Sequence, residues 1–362
     1  MPVRNAAGTV ARAVASVRAQ TCTDWELVAV DDGSTDVTPA ILAELARVEP
    51  RLRVIPRRHE GVAAAANAAV AAVRGELIAR MDADDVAQPE RLAAQVAFLA
   101  APESGEVGVV GSLVEFGGDR EAGEGYARHV EWVNSLVTPE EIALNRFVES
   151  PLANPSVMFR RELIARHGGW RDGDFPEDYE LWLRWLDAGV RMAKVPRVLL
   201  TWHDSPGRLT RTDLRYGPEA FFRLKAEWIA KWLEKNLGGE NSEARKPGAR
   251  TDGPAIIRGF PASGLKLVRP VWIWGAGRHT RKRAAHLEKH GVVIAGYVDV
   301  DAKKTGRGLG GRGVPVIGEE ALPPPGEIFV LSYVTTRGAR DYNRASLRRR
   351  GYVEGREFLM CG

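Results

Sequence analysis

The chain has 362 residues, 44% of them apolar and 27% charged, with 51 Lys and Arg against 47 Asp and Glu. This is the composition of a soluble globular protein with core enough for one large domain or two ordinary ones. No apolar run reaches the roughly 18 residues of a membrane span, no leader peptide is expected, and Cys22 and Cys361 make neither a disulfide framework nor a metal cluster, which points to a reducing cytoplasm.

The charge is uneven along the chain. Residues 269–362 carry 17 Lys and Arg against 9 Asp and Glu, a net of +8, which leaves residues 1–268 at −4. An acidic part followed by a strongly basic one suggests two domains with different partners.

Met1-Pro2-Val3-Arg4-Asn5 leads into a helical pattern carried by Val10, Ala13, Val14 and Val17. Residues 25–30 read as a strand that runs into Asp31-Asp32-Gly33-Ser34-Thr35-Asp36. A short amphipathic helix (Ile41, Leu42, Leu45), a strand at 52–55 and an Ala-rich helix at 62–73 follow. Leu77-Ile78-Ala79 is then a buried strand, ending in Arg80-Met81-Asp82-Ala83-Asp84-Asp85, with Pro89 opening the next helix. Strands alternating with helices predict an α/β domain with a largely parallel sheet. Ligands of such sheets bind beyond the carboxyl ends of the strands, where both acidic turns fall. On an extended chain Asp82 and Asp84 share a face; two carboxylates so close need a cation, a shared proton or full hydration. Either turn alone is also explained by helix capping, but two at one sheet edge favour a site.

Pro2-Val3-Arg4-Asn5, Asp31-Asp32-Gly33-Ser34 and Asp82-Ala83-Asp84-Asp85 look like the successive signatures of family 2 glycosyltransferases, inverting enzymes of the GT-A fold, in both order and spacing. Pro176-Glu177-Asp178-Tyr179-Glu180-Leu181-Trp182 resembles that family's Glu-Asp acceptor motif. The likeness extends over about residues 1–215 and is most specific in its first half. It implies that Pro2 and Arg4 line the nucleotide pocket and that Asp31 or Asp32 binds the base. It also implies that Asp82 approaches the ribose or the metal, and that Asp84 holds Mn²⁺ or Mg²⁺. Such ions take oxygen ligands, typically one or two carboxylates plus substrate phosphates. By the same resemblance Asp178 is the base that deprotonates the acceptor hydroxyl, with Glu177 as its neighbour and Trp182 as a platform for the acceptor sugar. The helix N-terminus is expected to keep Asp178 ionised; the bland alternative makes Glu177 and Asp178 mere dipole partners.

Two departures stand out. Ala66 and Asn67 occupy the place where many relatives carry Arg, so a diphosphate contact is missing or comes from elsewhere. The first strand, central in such a sheet, can contain only Met1-Pro2-Val3, so a short apolar run upstream or a substitute segment is expected. His203, in Trp202-His203-Asp204-Ser205 after a strand at 195–200, is either a metal ligand or a structural hydrogen-bonder.

Phe221, Leu224, Trp228 and Trp232 share a helical face, read as packed on the catalytic domain, with an interfacial membrane helix as the alternative. The expected divisions are a glycosyltransferase domain at 1–235, a Gly/Ser/Pro-containing linker at 236–268 and a small Rossmann-like domain at 269–362. The last opens on Val271-Trp272-Ile273-Trp274-Gly275-Ala276-Gly277. Thr280 replaces the third glycine of a dinucleotide fingerprint, and Asp299 lies near the ribose-binding position. A structural turn is expected there, without a nicotinamide cofactor. The positive charge suits an anionic glycan, a sugar nucleotide or the surface of an anionic membrane, and nucleic acid is not expected, because aromatic residues do not interleave the basic ones.

The reading is therefore a metal-dependent inverting glycosyltransferase using a nucleoside-diphosphate sugar, UDP-sugars favoured, and a glycan or other hydroxyl acceptor. A sugar-nucleotide pyrophosphorylase is the rival enzyme, but Ala6-Ala7-Gly8-Thr9 lacks the Gly-rich basic loop it requires. A non-enzymatic glycan-binding or assembly protein is the other alternative, weakened by the intact Asp84 and Asp178.

Overall fold

The computed structural model describes residues 1–121, 123–204, 209–239, 265–306, 308–309, 313–336 and 338–362. The chain divides into two units, one of Met1–Ala143 with Ser150–Gly217, the other of Leu144–Glu149 with Pro218–Gly362.

The first unit holds strands β1 (Pro2–Val3), β2 (Leu27–Asp32), β3 (Leu52–Arg57), β4 (Leu77–Ala79), β5 (Val86–Ala87), β6 (Val107–Gly117), β7 (Met158–Arg160) and β8 (Arg191–His203). β1, β2 and β3 form a parallel sheet in that order. Every residue of β2 is buried, as its almost unbroken apolar run requires of a strand covered on both faces. Leu27 and Ala29 pack with Val10, Ala13 and Val14 of one helix and Leu42 of another. Val28 and Val30 pack on Ala65 and Ala69 of the Ala-rich helix Val62–Ala72. The second sheet, in the order β4-β7-β6-β8-β5, is mixed rather than parallel: of its neighbouring strands β6 and β8 pair parallel and the other pairs are antiparallel. Beside β1, among the described residues, no further segment takes a strand position opposite β2.

The helix Glu177–Asp187 is buried along almost its whole length, in a core with Phe159, Trp170, Leu181 and Trp185. Its Arg184 pairs with Glu180 at 2.9 Å and donates to the carbonyls of Gly168 and Gly169 at 3.2 and 2.7 Å. Asn67 brackets the same turn from the other side, accepting from the Trp170 amide at 3.0 Å and donating to its carbonyl at 2.7 Å. The turn at Gly168–Trp170 is thus held from two directions, by Arg184 of the helix and by Asn67.

The second unit holds β9 (Val271–Trp274), β10 (Ile294–Val298), β11 (Gly308–Leu309), β12 (Val314–Ile317), β13 (Phe329–Ser332) and β14 (Phe358–Met360). The order is β11-β12-β10-β9-β13-β14, parallel except for β11, so the first strand in sequence lies centrally. The helix Pro218–Leu237 groups with this unit, which moves the division from residue 235 to 217. Trp228, Ile229, Trp232 and Leu233 are buried, and Trp232 meets Phe329 of β13 with ring centroids 5.4 Å apart. The periodic face was legible, and among the described residues it packs on the sheet of its own unit. Most of the expected linker, residues 240–264, lies outside the described residues.

Candidate active site

The parallel pairing of β1 with β2 sets Val3 opposite Asp31, so Pro2, the exposed Arg4, Asp31 and Asp32 meet at one sheet edge. The two loops beyond are laced together. The Asn5 amide donates to Ser34 Oγ at 2.9 Å, the Thr35 amide to Asn5 Oδ1 at 2.8 Å, and the Ala6 amide to Thr38 Oγ1 at 2.8 Å. Asn5 takes a left-handed conformation, φ +48°, to make this exchange. The two aspartates differ sharply. Asp32 accepts from the amides of Glu60 and Gly61 at 2.8 and 3.0 Å and lies 2.8 Å from His59 Nδ1, which fixes the entry to the Ala-rich helix. Asp31 accepts from the Ser34 amide at 3.1 Å.

At the end of β4 the alternation expected for the second acidic turn holds. Asp82 and Asp84 are half-buried, while Ala83 and Asp85 point inward. Beneath them Arg91 is buried and donates to the Arg80 carbonyl at 2.7 Å and the Val157 carbonyl at 3.3 Å. Burial pushes the Arg91 guanidinium down to about 10, with Asp85 acting the other way, so it stays charged. Arg80, itself buried, forms an ion pair with Asp82 at 2.7 Å. Arg12 donates to the Asp84 carbonyl at 3.0 Å. Asp85 accepts the backbone amide of His203 at 2.8 Å, which pins the end of β8 beside the acidic turn. Burial, then Arg12, lowers the His203 pKa, so the imidazole is neutral at pH 7.

Glu177 and Asp178 open the helix Glu177–Asp187. Asp178 accepts the Tyr179 amide at 2.7 Å, and the Tyr216 hydroxyl donates to Glu177. The expectation that the helix N-terminus keeps Asp178 ionised is corrected here. Burial, and next the charge of Glu177, raise the Asp178 pKa above the usual carboxylate range, and burial raises that of Glu177. Asp82 raises both further and Arg80 opposes it, so the two acidic sites share one electrostatic neighbourhood. Trp182 is corrected as well. It is fully buried, 5.8 Å from Trp185 in a near-perpendicular ring pair, and offers no face to a sugar.

Among the described residues no three His, Cys, Asp or Glu side chains stand close enough to cage a metal ion. What is present is the half-buried pair Asp82 and Asp84, hard oxygen donors of which Asp82 is already neutralised by Arg80. That set fits an ion held by one or two carboxylates and completed by substrate phosphates, the habit of Mg²⁺.

Sequence reasoning missed Tyr216, Arg91 and the inward turn of Asp85. A lone tyrosine in a polar stretch carries no periodic signal, and Arg91 and Asp85 are explained only by partners distant in sequence. In the second unit Asp299 accepts the Ala276 amide at 2.8 Å and the Asp301 amide at 2.9 Å, and pairs with Lys304 at 3.2 Å. It braces the glycine turn. Gly275 has φ +108°, and a Cβ there would lie 2.8 Å from Val334 and 3.0 Å from Thr280, so glycine is required structurally.

Residues 1–168 match the sequence model of glycosyl transferase family 2, so the match ends before the helix that carries Glu177 and Asp178. The putative glycosyltransferase EpsE of Bacillus subtilis (strain 168) is 29% identical over 60% of this chain and 76% of its own length. The O-antigen biosynthesis glycosyltransferase WbnJ of Escherichia coli is 26% identical over 60% of this chain and 82% of its own. Among solved structures, the mannosyltransferase PcManGT from Pyrobaculum calidifontis, in complex with GDP-Man and Mn²⁺, aligns with a TM-score of 0.45 at 23% identity, covering 63% of this chain and 60% of that one.

Proposed function

We propose that this chain is an inverting, metal-assisted glycosyltransferase of family 2 with a GT-A-type first unit. It would transfer a sugar from a nucleoside-diphosphate donor, UDP-sugars favoured, to a hydroxyl of a growing glycan or another acceptor. The observation that carries this reading is the convergence of the Asp82–Arg80 pair with Glu177 and Asp178 in one electrostatic neighbourhood. The family match over residues 1–168 and the similarity to a glycosyltransferase of O-antigen biosynthesis support it.

In this reading Pro2, Arg4 and Asp31 receive the nucleotide, with Asp31 rather than Asp32 facing the base, because Asp32 already satisfies three donors. Asp84 would hold the divalent ion, with Asp82 and His203 as further candidate ligands. When bound, Mn²⁺ or Mg²⁺ neutralises the diphosphate as it leaves the anomeric carbon. Asp178 takes the proton of the acceptor hydroxyl as that oxygen bonds to the anomeric carbon from the face opposite the departing diphosphate. Its raised pKa suits the task, since a base is most effective when its pKa lies near the working pH. The second unit is proposed as a Rossmann-like module that binds or scaffolds without nicotinamide, because Asp299 is engaged in the turn it would otherwise leave to reach a ribose. Among the described residues no helix is long and apolar enough to cross a membrane. The basic C-terminal unit would let the enzyme work in the cytoplasm, peripherally at an anionic membrane face.

The test is nucleoside diphosphate release from a panel of UDP-glucose, UDP-galactose, UDP-N-acetylglucosamine, UDP-glucuronic acid and GDP-mannose, with Mn²⁺ and with EDTA. Metal-dependent release from one donor, lost in Asp178→Asn, supports the assignment. Release of inorganic pyrophosphate from a nucleoside triphosphate and a sugar phosphate would replace it with the pyrophosphorylase reading.

A further inference from the structure

Glu177 and Asp178 are adjacent carboxylates at a largely buried helix N-terminus, and Asp82 adds a third negative charge, opposed by Arg80. Like charges so placed do not ionise together cheaply, so one of the pair holds the charge and the other holds a proton until the solution becomes basic enough. Which carboxylate does which is decided by the hydrogen bonds each receives.

We propose that the Tyr216 hydroxyl sets this division of labour, holding Glu177 as the fixed anion and leaving Asp178 as the group that takes up and gives back a proton. The inference rests on the reading of Asp178 as the base. Tyr216 is then a positioning residue that acts on the reaction through Glu177.

Three observations carry it. The hydroxyl donates to Glu177 Oε2, whereas Asp178 receives the backbone amide of Tyr179. Tyr216 is also delivered by a braced turn. Asp213 accepts the Arg215 amide at 2.9 Å, and the Arg215 guanidinium grips Asp213 at 2.9 and 2.7 Å and reaches Asp172, in the loop before the acidic helix, at 3.2 Å. Finally, burial and then the two carboxylates push ionisation of the Tyr216 phenol well above its ordinary range, so it remains a donor throughout the working pH range. The groups facing this set are Arg80 and Asp82 from the end of β4, and Arg215 from the turn that carries Tyr216. Arg80 and Asp82 act on both carboxylates, so neither singles one out. Tyr216 does.

The consequence has a sign. Removing the hydroxyl takes away the hydrogen bond that favours ionised Glu177. Glu177 then keeps its proton to higher pH, and Asp178, freed from a neighbouring charge, ionises at lower pH. A role confined to packing would leave the Asp178 titration where it is.

The experiment is ¹³C-carboxyl NMR of the full chain labelled at aspartate, with the Asp178 resonance identified by its absence in Asp178→Asn. Wild type, Tyr216→Phe and Glu177→Gln are titrated in parallel; phenylalanine keeps the ring, and Glu177→Gln removes the charge directly. The expected result is a downward shift of the Asp178 midpoint in Tyr216→Phe of about one pH unit, a tenfold change in proton affinity, with a shift at least as large in Glu177→Gln. An Asp178 midpoint unchanged or raised in Tyr216→Phe while lowered in Glu177→Gln overturns the role of the hydroxyl. A midpoint unchanged in both overturns the coupling itself. Because this readout needs no substrate, its failure is distinct from failure of the base assignment, which would appear as full turnover by Asp178→Asn.

Discussion

The backbone amide of His203 donates to the buried carboxylate of Asp85 at 2.8 Å, joining residues 118 apart in sequence. This bond fastens the last residue of β8 to the acidic turn after β4. Asp85 also favours the charged form of the buried Arg91, whose guanidinium carries the Arg80 carbonyl. The third aspartate of the turn is thus a structural member beneath the two that face outward.

Asp85→Ala should therefore be costly. It strands the His203 amide, about 1–3 kcal/mol for a buried donor, and removes a charge partner from Arg91, so a total loss of about 3 kcal/mol or more is expected. Asp85→Asn retains an acceptor for His203 and should lose less. Chemical denaturation of both variants checks the order; equal stability of Asp85→Ala and wild type would remove Asp85 from the framework.

The aspartates at the end of β2 should separate stability from binding. Asp32→Ala leaves the amides of Glu60 and Gly61 without their acceptor and should destabilise by about 2–4 kcal/mol. Asp31→Ala loses a single amide contact and should cost about 1 kcal/mol, while weakening nucleotide binding. Thermal unfolding alongside nucleotide titration tests the pair. The reverse pattern would return base recognition to Asp32.

Asp178 should trade stability for function. Its pKa is raised in the folded state, so the folded protein binds more protons than the unfolded chain between the two values, and stability falls as pH rises through that window. Asp178→Asn removes this penalty. It should unfold at a higher temperature than wild type at pH 8, with the advantage shrinking towards pH 4, while turnover drops by about 10² to 10⁴. A variant less stable than wild type at pH 8 would mean that the carboxylate is a helix cap instead.

Much of this was legible because it is local. The β2 run, the Ala-rich helix and the Asp82/Asp84 alternation follow from the periods of strand and helix, and they hold in the structure. What was misread depended on distant partners. Trp182 shares its helical face with Tyr179, Leu183 and Leu186, a core pattern on which the family likeness laid a sugar-binding role; 0% exposure decides for the core. The face of Trp228 and Trp232 announced burial but not its cover. Asn67, an oddity in an Ala-rich helix, is explained by Trp170, 103 residues away.

The central claim is that the acidic turn forms a divalent-dependent nucleoside-diphosphate site through Asp84. Calorimetric titration of UDP, and of GDP in parallel, into wild type and Asp84→Asn, each in Mn²⁺ and in EDTA, tests it most directly. One nucleotide should bind wild type in Mn²⁺, with affinity falling by about tenfold or more, at least about 1.4 kcal/mol, both in EDTA and in Asp84→Asn. Equal affinity of wild type and Asp84→Asn in Mn²⁺, or no binding of either nucleotide by wild type, would contradict it.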